Sequence, residues 1–330
     1  MRVPRRRFLH LAAGVTALPF VSRSARAQAS PSRPPQAEIA REATLTVTIG
    51  DRARAALLHL PSTFDPRGKY PLVIGYHGGL RNAKAYVEQS QLFAKGEEAG
   101  FIVACPQGTP VFRMGDFRVW NSNPEYARVL RNVDDVAFTR ALIAKIAAQY
   151  AIDSKRIYVT GFSNGAQMAY RIALELAGDI AAIAPMSGAR RAGNSRPTRP
   201  VPILHIHGTA DGYYPIDGGR PLFTFGLVGL APVERVIAEW CVFNGASPSL
   251  RLVDHDGWDM LVHDGPAPVI LVRVGGMGHQ IAGGYDDNLP LQAPQSEPDA
   301  VAMALAFFGE HPIKQAVPPR GRASIGHAPS

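Results

Sequence analysis

The pentapeptide Gly161-Phe162-Ser163-Asn164-Gly165 constrains this chain more than any other stretch, because of what flanks it. Upstream, Arg156–Thr160 is a short apolar run that reads as a strand. Downstream, Ala166–Ala177 reads as a helix in which Met168, Ile172 and Leu176 recur every four residues, the spacing of one helix face. Ser163 therefore stands at a tight strand-to-helix turn. Gly161 and Gly165 remove the side chains that would collide as the two elements close on each other. Such a turn exposes the hydroxyl and places the first backbone N–H groups of the helix near it, where negative charge is held well.

Around that turn, short apolar runs alternate with helical stretches: Pro71–Tyr76, Phe101–Cys105, Ala181–Pro185, Pro202–Ile206 and Val269–Val274 join Arg156–Thr160 as strands. This alternation predicts an α/β fold with a mostly parallel central sheet and helices on both faces. Thr44–Ile49 and Ala53–Leu60 instead alternate like an antiparallel N-terminal strand pair, turned by Gly50-Asp51. Val136, Ile143 and Ala147 predict the buried face of a helix ending at Tyr150, with Asp134-Asp135 capping its start. Two connections are long, 107–132 and 212–231, and both follow strands, where open α/β sheets keep their ligand crevice. They carry Trp120, Tyr126, Tyr213, Tyr214, Phe223 and Phe225, as pocket walls or as small cores under the loops. The 186–200 segment is too short for a large lid.

Residues 1–29 are set aside as a leader. Arg5-Arg6-Arg7-Phe8-Leu9 opens an apolar run that closes with Ala27-Gln28-Ala29, and it resembles a twin-arginine export signal that delivers the protein to the periplasm or outside. Its apolar part is shorter than the ~20 residues a membrane helix needs, so no stable membrane span is expected. Residues 30–43 read as a flexible lead-in, 44–311 as one catalytic domain and 312–330, with four prolines, as a disordered tail. The net charge of +8 is mostly the leader's: without its six arginines, 29 Lys and Arg face 27 Asp and Glu, which gives no case for a nucleic-acid partner. The two cysteines, Cys105 and Cys241, supply no disulfide framework, although a single bridge between them stays open. The sequence does not speak to oligomeric state.

A serine hydroxyl becomes a nucleophile only with a base in reach, an acid to orient that base and donors for the oxyanion. Asp211 follows the strand Pro202–Ile206, and His279 follows Val269–Val274 through Gly275-Gly276-Met277-Gly278, so acid and histidine come after the serine in the expected order. Asp217 is a rival acid. The oxyanion donors are expected at the N–H of Asn164 and, in Tyr76-His77-Gly78-Gly79-Leu80, at Gly79, with Leu80 as the alternative; His77 is read as orienting that loop. His255 and His263 flank an Asp256-Gly257 hairpin turn and are read as surface residues. His205 and His207 with Asp211 suggest a metal pair, but no further ligand completes a set, so no metal and no cofactor are expected.

With these residues in view, the chain resembles secreted esterases of the α/β-hydrolase fold, the poly(3-hydroxybutyrate) depolymerase, LpqC-like and feruloyl esterase group. The resemblance runs through Tyr76-His77-Gly78-Gly79, Pro106-Gln107-Gly108, Trp120-Asn121, Asp134 to Phe138, Arg156 to Gly165, His207 to Asp211, Trp240 with Asn244-Gly245, and Gly275 to His279. It implies hydrolysis of feruloyl, acetyl or hydroxyalkanoate-oligomer esters through an acyl-enzyme, with Ser163, Asp211 and His279 catalytic. Trp120, Asn121, Tyr213 and Tyr214 would contact substrate. The chain departs from the group after His279, where Gln280-Ile281-Ala282 replaces a tryptophan-proline pair, and in lacking the cysteine pairs of several members. The rivals are an acyltransferase using the same triad, a carbohydrate-binding protein on an inactive scaffold and, by fold analogy alone, a peptidase.

Overall fold

The computed structural model describes residues 41–111, 116–123, 130, 133–190, 195–220, 229–285 and 297–314. The leader, most of the lead-in and most of the tail lie outside these residues, as do Tyr126, Phe223 and Phe225. Among the described residues, no helix is long and apolar enough to cross a membrane.

Ten strands form one sheet in the order β1-β2-β4-β3-β7-β8-β9-β12-β11-β10. Its centre is parallel: β4 (Ile102–Pro106), β3 (Tyr70–Tyr76), β7 (Ile152–Phe162), β8 (Ala182–Met186), β9 (Ile203–Gly208) and β12 (Val269–Val274). Antiparallel strands flank both sides, β1 (Glu42–Ile49) with β2 (Arg52–His59) at one edge and β10 (Arg251–His255) with β11 (Trp258–His263) at the other. The second hairpin turns at Asp256-Gly257, as the sequence predicts. A two-stranded ribbon, β5 (Thr109–Pro110) with β6 (Arg118–Val119), lies in the first long connection.

Because strand side chains alternate between faces, the sheet builds two cores. On one face Leu72, Ile74, Ile157, Val159 and Leu271 pack under α3 (Asp135–Gln149), α4 (Asn164–Glu175) and α5 (Val233–Asn244). On the other, Val73, Val103, Tyr158 and Val272 pack under α1 (Ala83–Ser90), α2 (Leu92–Ala99) and α6 (Ala300–Glu310). The central strands are buried on both sides, which is why they read as unbroken apolar runs.

One expectation needs correcting. The buried face of α3 carries Val136, as expected, but continues through Phe138, Leu142 and Ile146 with Thr139, while Ile143 is only half-buried and Ala147 is exposed. Phe138 decides the rotation, since its ring takes the Arg54 guanidinium at 4.3 Å and fills the core, and a lone alanine cannot compete with that area. Asp134 does cap the helix, accepting from the amides of Val136 and Ala137. The Cys105–Cys241 bridge is not made: both thiols are free, Cys105 buried under α2 and Cys241 on α5 beyond the opposite face of the sheet. Burial pushes the Cys105 thiol up and that of Cys241 to about 11.

Candidate active site

β7 ends at Phe162, α4 begins at Asn164, and Ser163 between them has φ 57° and ψ −118°, a left-handed conformation that is strained for a residue with a side chain. The strain persists because the surroundings fix it. A Cβ on Gly165 would stand 2.1 Å from the Tyr76 carbonyl oxygen, and one on Gly188 would stand 2.3 Å from the Ser163 carbonyl oxygen. The Ser163 N–H donates to Met186 O at 3.0 Å, which locks the turn to β8. Gly188 was not singled out from sequence, where a glycine after a strand carries no mark of what approaches it.

The structure brings Ser163, His279 and Asp211 together. Ser163 Oγ lies 2.9 Å from His279 Nε2, and His279 Nδ1 lies 2.8 Å from Asp211 Oδ2. An ionised carboxylate can only accept, so Nδ1 carries the proton and Nε2 is left to take one from the serine. Asp211, 3% exposed, also receives the N–H groups of Tyr213 and Tyr214 on Oδ1 at 2.9 and 2.7 Å. It is Asp211, not Asp217, that meets the histidine; Asp217 lines a separate surface cavity beside Trp258. The His279 ring lies among Phe162, Tyr213 and Tyr214, with centroids 4.8, 5.1 and 5.6 Å away.

The Gly78-Gly79 loop runs beside the turn: a Cβ on Gly78 would meet Ser163 Cβ at 3.5 Å, and one on Gly79 would meet Asn164 Cβ at 3.4 Å. The Leu80 N–H is committed to the Arg118 carbonyl at 2.7 Å, which favours Gly79 over Leu80 as second donor. His77 orients this loop, as its place in the sequence suggested. Its Nε2 accepts from Gly108 N–H at 2.9 Å and its Nδ1–H donates to Gly78 O at 2.7 Å, the neutral tautomer that burial enforces by lowering its pKa to about 4.

Trp120 and Asn121, expected to contact substrate, are both buried. Trp120 is fully buried, its Nε1–H donating to His77 O at 2.9 Å and its ring edge-on to Tyr76. Asn121 is 7% exposed and spends its side chain on Val133 O and its N–H on Asp135 Oδ2. Both brace the loop from behind, because the Asn164 side chain pairs with the Trp120 backbone at 2.7 and 3.3 Å and draws that segment inward. Tyr214 is buried, whereas Tyr213 is 46% exposed over His279. Asp135, read from sequence as a cap residue, forms a fully buried ion pair with Arg54 at 2.7 Å, which ties α3 to β2 and, through Gln107 O, to the loop below the site. Among the described residues no group of three or more His, Cys, Asp or Glu could hold a metal. His205 and His207 are turned to each other and to Tyr170 instead.

The family model for phospholipases and carboxylesterases matches residues 72–222. Feruloyl esterase B of Piromyces equi is 32% identical over 200 residues, 59% of this chain and 36% of that protein. Probable feruloyl esterase C of Aspergillus clavatus is 31% identical over 217 residues, 62% of this chain and 75% of that protein. The chain spans less than half the length of several curated relatives that it matches. Among solved structures, acetyl xylan esterase from Aspergillus awamori superposes with a TM-score of 0.54 at 15% identity, covering 72% of this chain and 94% of that one, a likeness of fold.

Proposed function

The chain belongs to the phospholipase/carboxylesterase family of α/β-hydrolases, and on that premise we propose that it hydrolyses carboxylic esters through an acyl-enzyme on Ser163. The observation that carries this reading is the unbroken series of hydrogen bonds from Ser163 Oγ through His279 to Asp211, with the Gly78-Gly79 loop packed against Ser163 and Asn164.

Ser163 Oγ attacks the ester carbonyl as its proton passes to His279 Nε2. The N–H groups of Asn164 and Gly79 receive the oxyanion, and Asp211 stabilises the imidazolium without taking its proton. Collapse breaks the bond to the alcohol oxygen, which leaves with the proton from His279. A water then gives its proton to the same nitrogen and attacks the acyl carbon, and the acid departs as Ser163 regains its hydrogen.

The relatives' names, with a bifunctional acetylxylan esterase/xylanase of Neocallimastix patriciarum at 30% identity among them, support feruloyl or acetyl esters as substrates, and resemblance to the wider group adds hydroxyalkanoate oligomers. Among the described residues, Tyr213, exposed beside His279, is the aromatic surface best placed to meet an aromatic acyl group. The arginine-led segment 1–29 supports export, which N-terminal sequencing of the mature protein would test. For the activity itself, p-nitrophenyl acetate and butyrate, methyl ferulate, acetylated xylan and hydroxybutyrate oligomers form the panel, assayed with wild type and Ser163→Ala. The substitution is expected to lower kcat by about 10⁴-fold or more while the fold is kept. Activity that survives it would exclude the acyl-enzyme.

A further inference from the structure

His205 and His207 take no part in the scheme above, yet both are fully enclosed on the strand that leads to Asp211. Their spacing of two residues on β9 puts both rings on the sheet face that α4 covers. There they join a continuous series of hydrogen bonds. Tyr170 Oη, on α4, lies 2.8 Å from His205 Nδ1, His205 Nε2 lies 3.0 Å from His207 Nδ1, and His207 Nε2 lies 2.7 Å from the Tyr214 carbonyl oxygen. The Tyr214 N–H in turn donates to Asp211 Oδ1 at 2.7 Å.

One distribution of protons satisfies every partner. A carbonyl oxygen only accepts, so His207 carries its hydrogen on Nε2. Burial holds both histidines below their ordinary pKa, so each is neutral, and the bare His207 Nδ1 accepts from His205 Nε2–H. His205 Nδ1 then accepts the Tyr170 hydroxyl proton, which burial makes harder to lose.

We propose that His207, His205 and Tyr170 are positioning residues: they tie the helix that starts at Ser163 to the loop that carries Asp211, so that nucleophile and acid are held in register through the protein interior. The inference rests on the reading of Ser163, His279 and Asp211 as a triad. It has a second consequence, because His207 Nε2 is also 3.6 Å from Asp211 Oδ2, the oxygen that bonds His279. The N–H there withdraws part of the negative charge that Asp211 presents to His279. Without it Asp211 is a stronger acceptor for the His279 N–H. The charged and titratable groups that act on His207 are Asp211, His279 and His205. Arg273, its register neighbour on β12, is engaged by Asp259 and Glu234, and Arg190 acts on Tyr170 at the far end.

Two measurements on the full chain test this. With ¹⁵N-labelled histidine, long-range ¹H–¹⁵N spectra should show His205 and His207 as neutral Nε2–H tautomers from pH 5.5 to 9, with peaks assigned from His205→Gln and His207→Gln. A cationic or Nδ1–H form of either ring in that range overturns the proposal. In kinetics with p-nitrophenyl acetate, His207→Phe should lose about 10- to 100-fold in kcat with KM nearly unchanged. His207→Gln, which keeps an N–H near the Nε2 position, should recover most of the loss. Tyr170→Phe, which deletes one hydroxyl and keeps the fold should His207→Phe not, should lose roughly 3- to 10-fold in kcat. Wild-type kcat in Tyr170→Phe and in the folded His207 variants overturns the positioning role. Failure of the esterase reading is seen separately: wild type would then cleave no ester and a fluorophosphonate would not label Ser163, while the tautomer spectra still report on the strut.

Discussion

Gly165→Ala should disable the site far more than the size of one methyl suggests. The new Cβ would lie 2.1 Å from the Tyr76 carbonyl oxygen and 2.6 Å from that of His77, some 0.9 Å inside the 3.0 Å that real Cβ contacts almost never breach. Neither obstacle is a side chain that can swing aside. Tyr76 is the last residue of β3, paired in register with Gly161, and its hydroxyl is bonded to Thr139 at 2.6 Å. About 1 Å of movement must therefore be taken by the turn at Ser163 or by the His77-Gly78-Gly79 loop, which bear the proposed nucleophile and one proposed oxyanion donor. Overpacking of this kind costs ~1–3 kcal/mol, and a misplacement near 1 Å costs ~10²-fold in rate. Urea unfolding and kcat/KM for p-nitrophenyl acetate measure the two effects, with circular dichroism to show that the variant is folded. Gly178→Ala is the control: nothing stands within 4 Å of its Cβ, and stability should stay within ~0.5 kcal/mol. A Gly165→Ala protein with the wild-type midpoint and rate would refute the argument that backbone contact holds the turn.

Trp120→Phe removes the Nε1–H bond to His77 O, so it should cost ~1–3 kcal/mol and lower kcat, while the ratio of methyl ferulate to p-nitrophenyl acetate activity stays as in wild type. A selective loss on ferulate would instead restore Trp120 as a stacking surface. Asp135→Asn leaves the Arg54 cation, only 8% exposed, without its partner, and should destabilise by ~3–5 kcal/mol in urea unfolding; a change under 1 kcal/mol would contradict that. His77, His205 and His207 are buried and neutral, with folded pKa values below the ordinary 6.5 and that of His77 near 4. As pH falls below 6.5 the unfolded chain takes up protons that the folded one refuses, so stability should fall toward pH 4 by up to ~1.4 kcal/mol per pH unit for each histidine. Urea midpoints that stay flat between pH 7 and 4.5 would show that these rings are not held neutral.

The strands around Ser163 were legible because doubly buried strands leave continuous apolar runs, and Asp211 and His279 were legible because each follows such a run by a few residues. What stayed hidden depends on cover by elements distant in sequence. Trp120 and Tyr213 are both loop aromatics, and it is contacts with Asn164, His77 and Tyr76, distant in sequence, that make Trp120 a buried brace, while Tyr213 stays half-exposed. The alternation of His205 and His207 shows in the sequence that they share a face of β9. It does not show that Tyr170, on the helix after Ser163, lies over that face and completes a hydrogen-bonded series. The face of α3 was misjudged because small residues recur all round that helix, so that Phe138, set by its contact with Arg54, fixes a rotation that periodicity left open.

The glycines that let backbone meet backbone, Gly165 on Tyr76 and Gly188 on Ser163, divide the protein into a part that cannot drift and a part that can. Any side chain at those positions moves the reacting serine, so mutation there is closed as a route to new selectivity. Tyr213, by contrast, gives Asp211 its backbone N–H, while its ring lies half-exposed over His279. A library built at that side chain can change which esters are accepted while the hydrogen bond that orients the acid is kept. The same separation gives a lineage of such proteins room to diversify its diet without reinventing its chemistry.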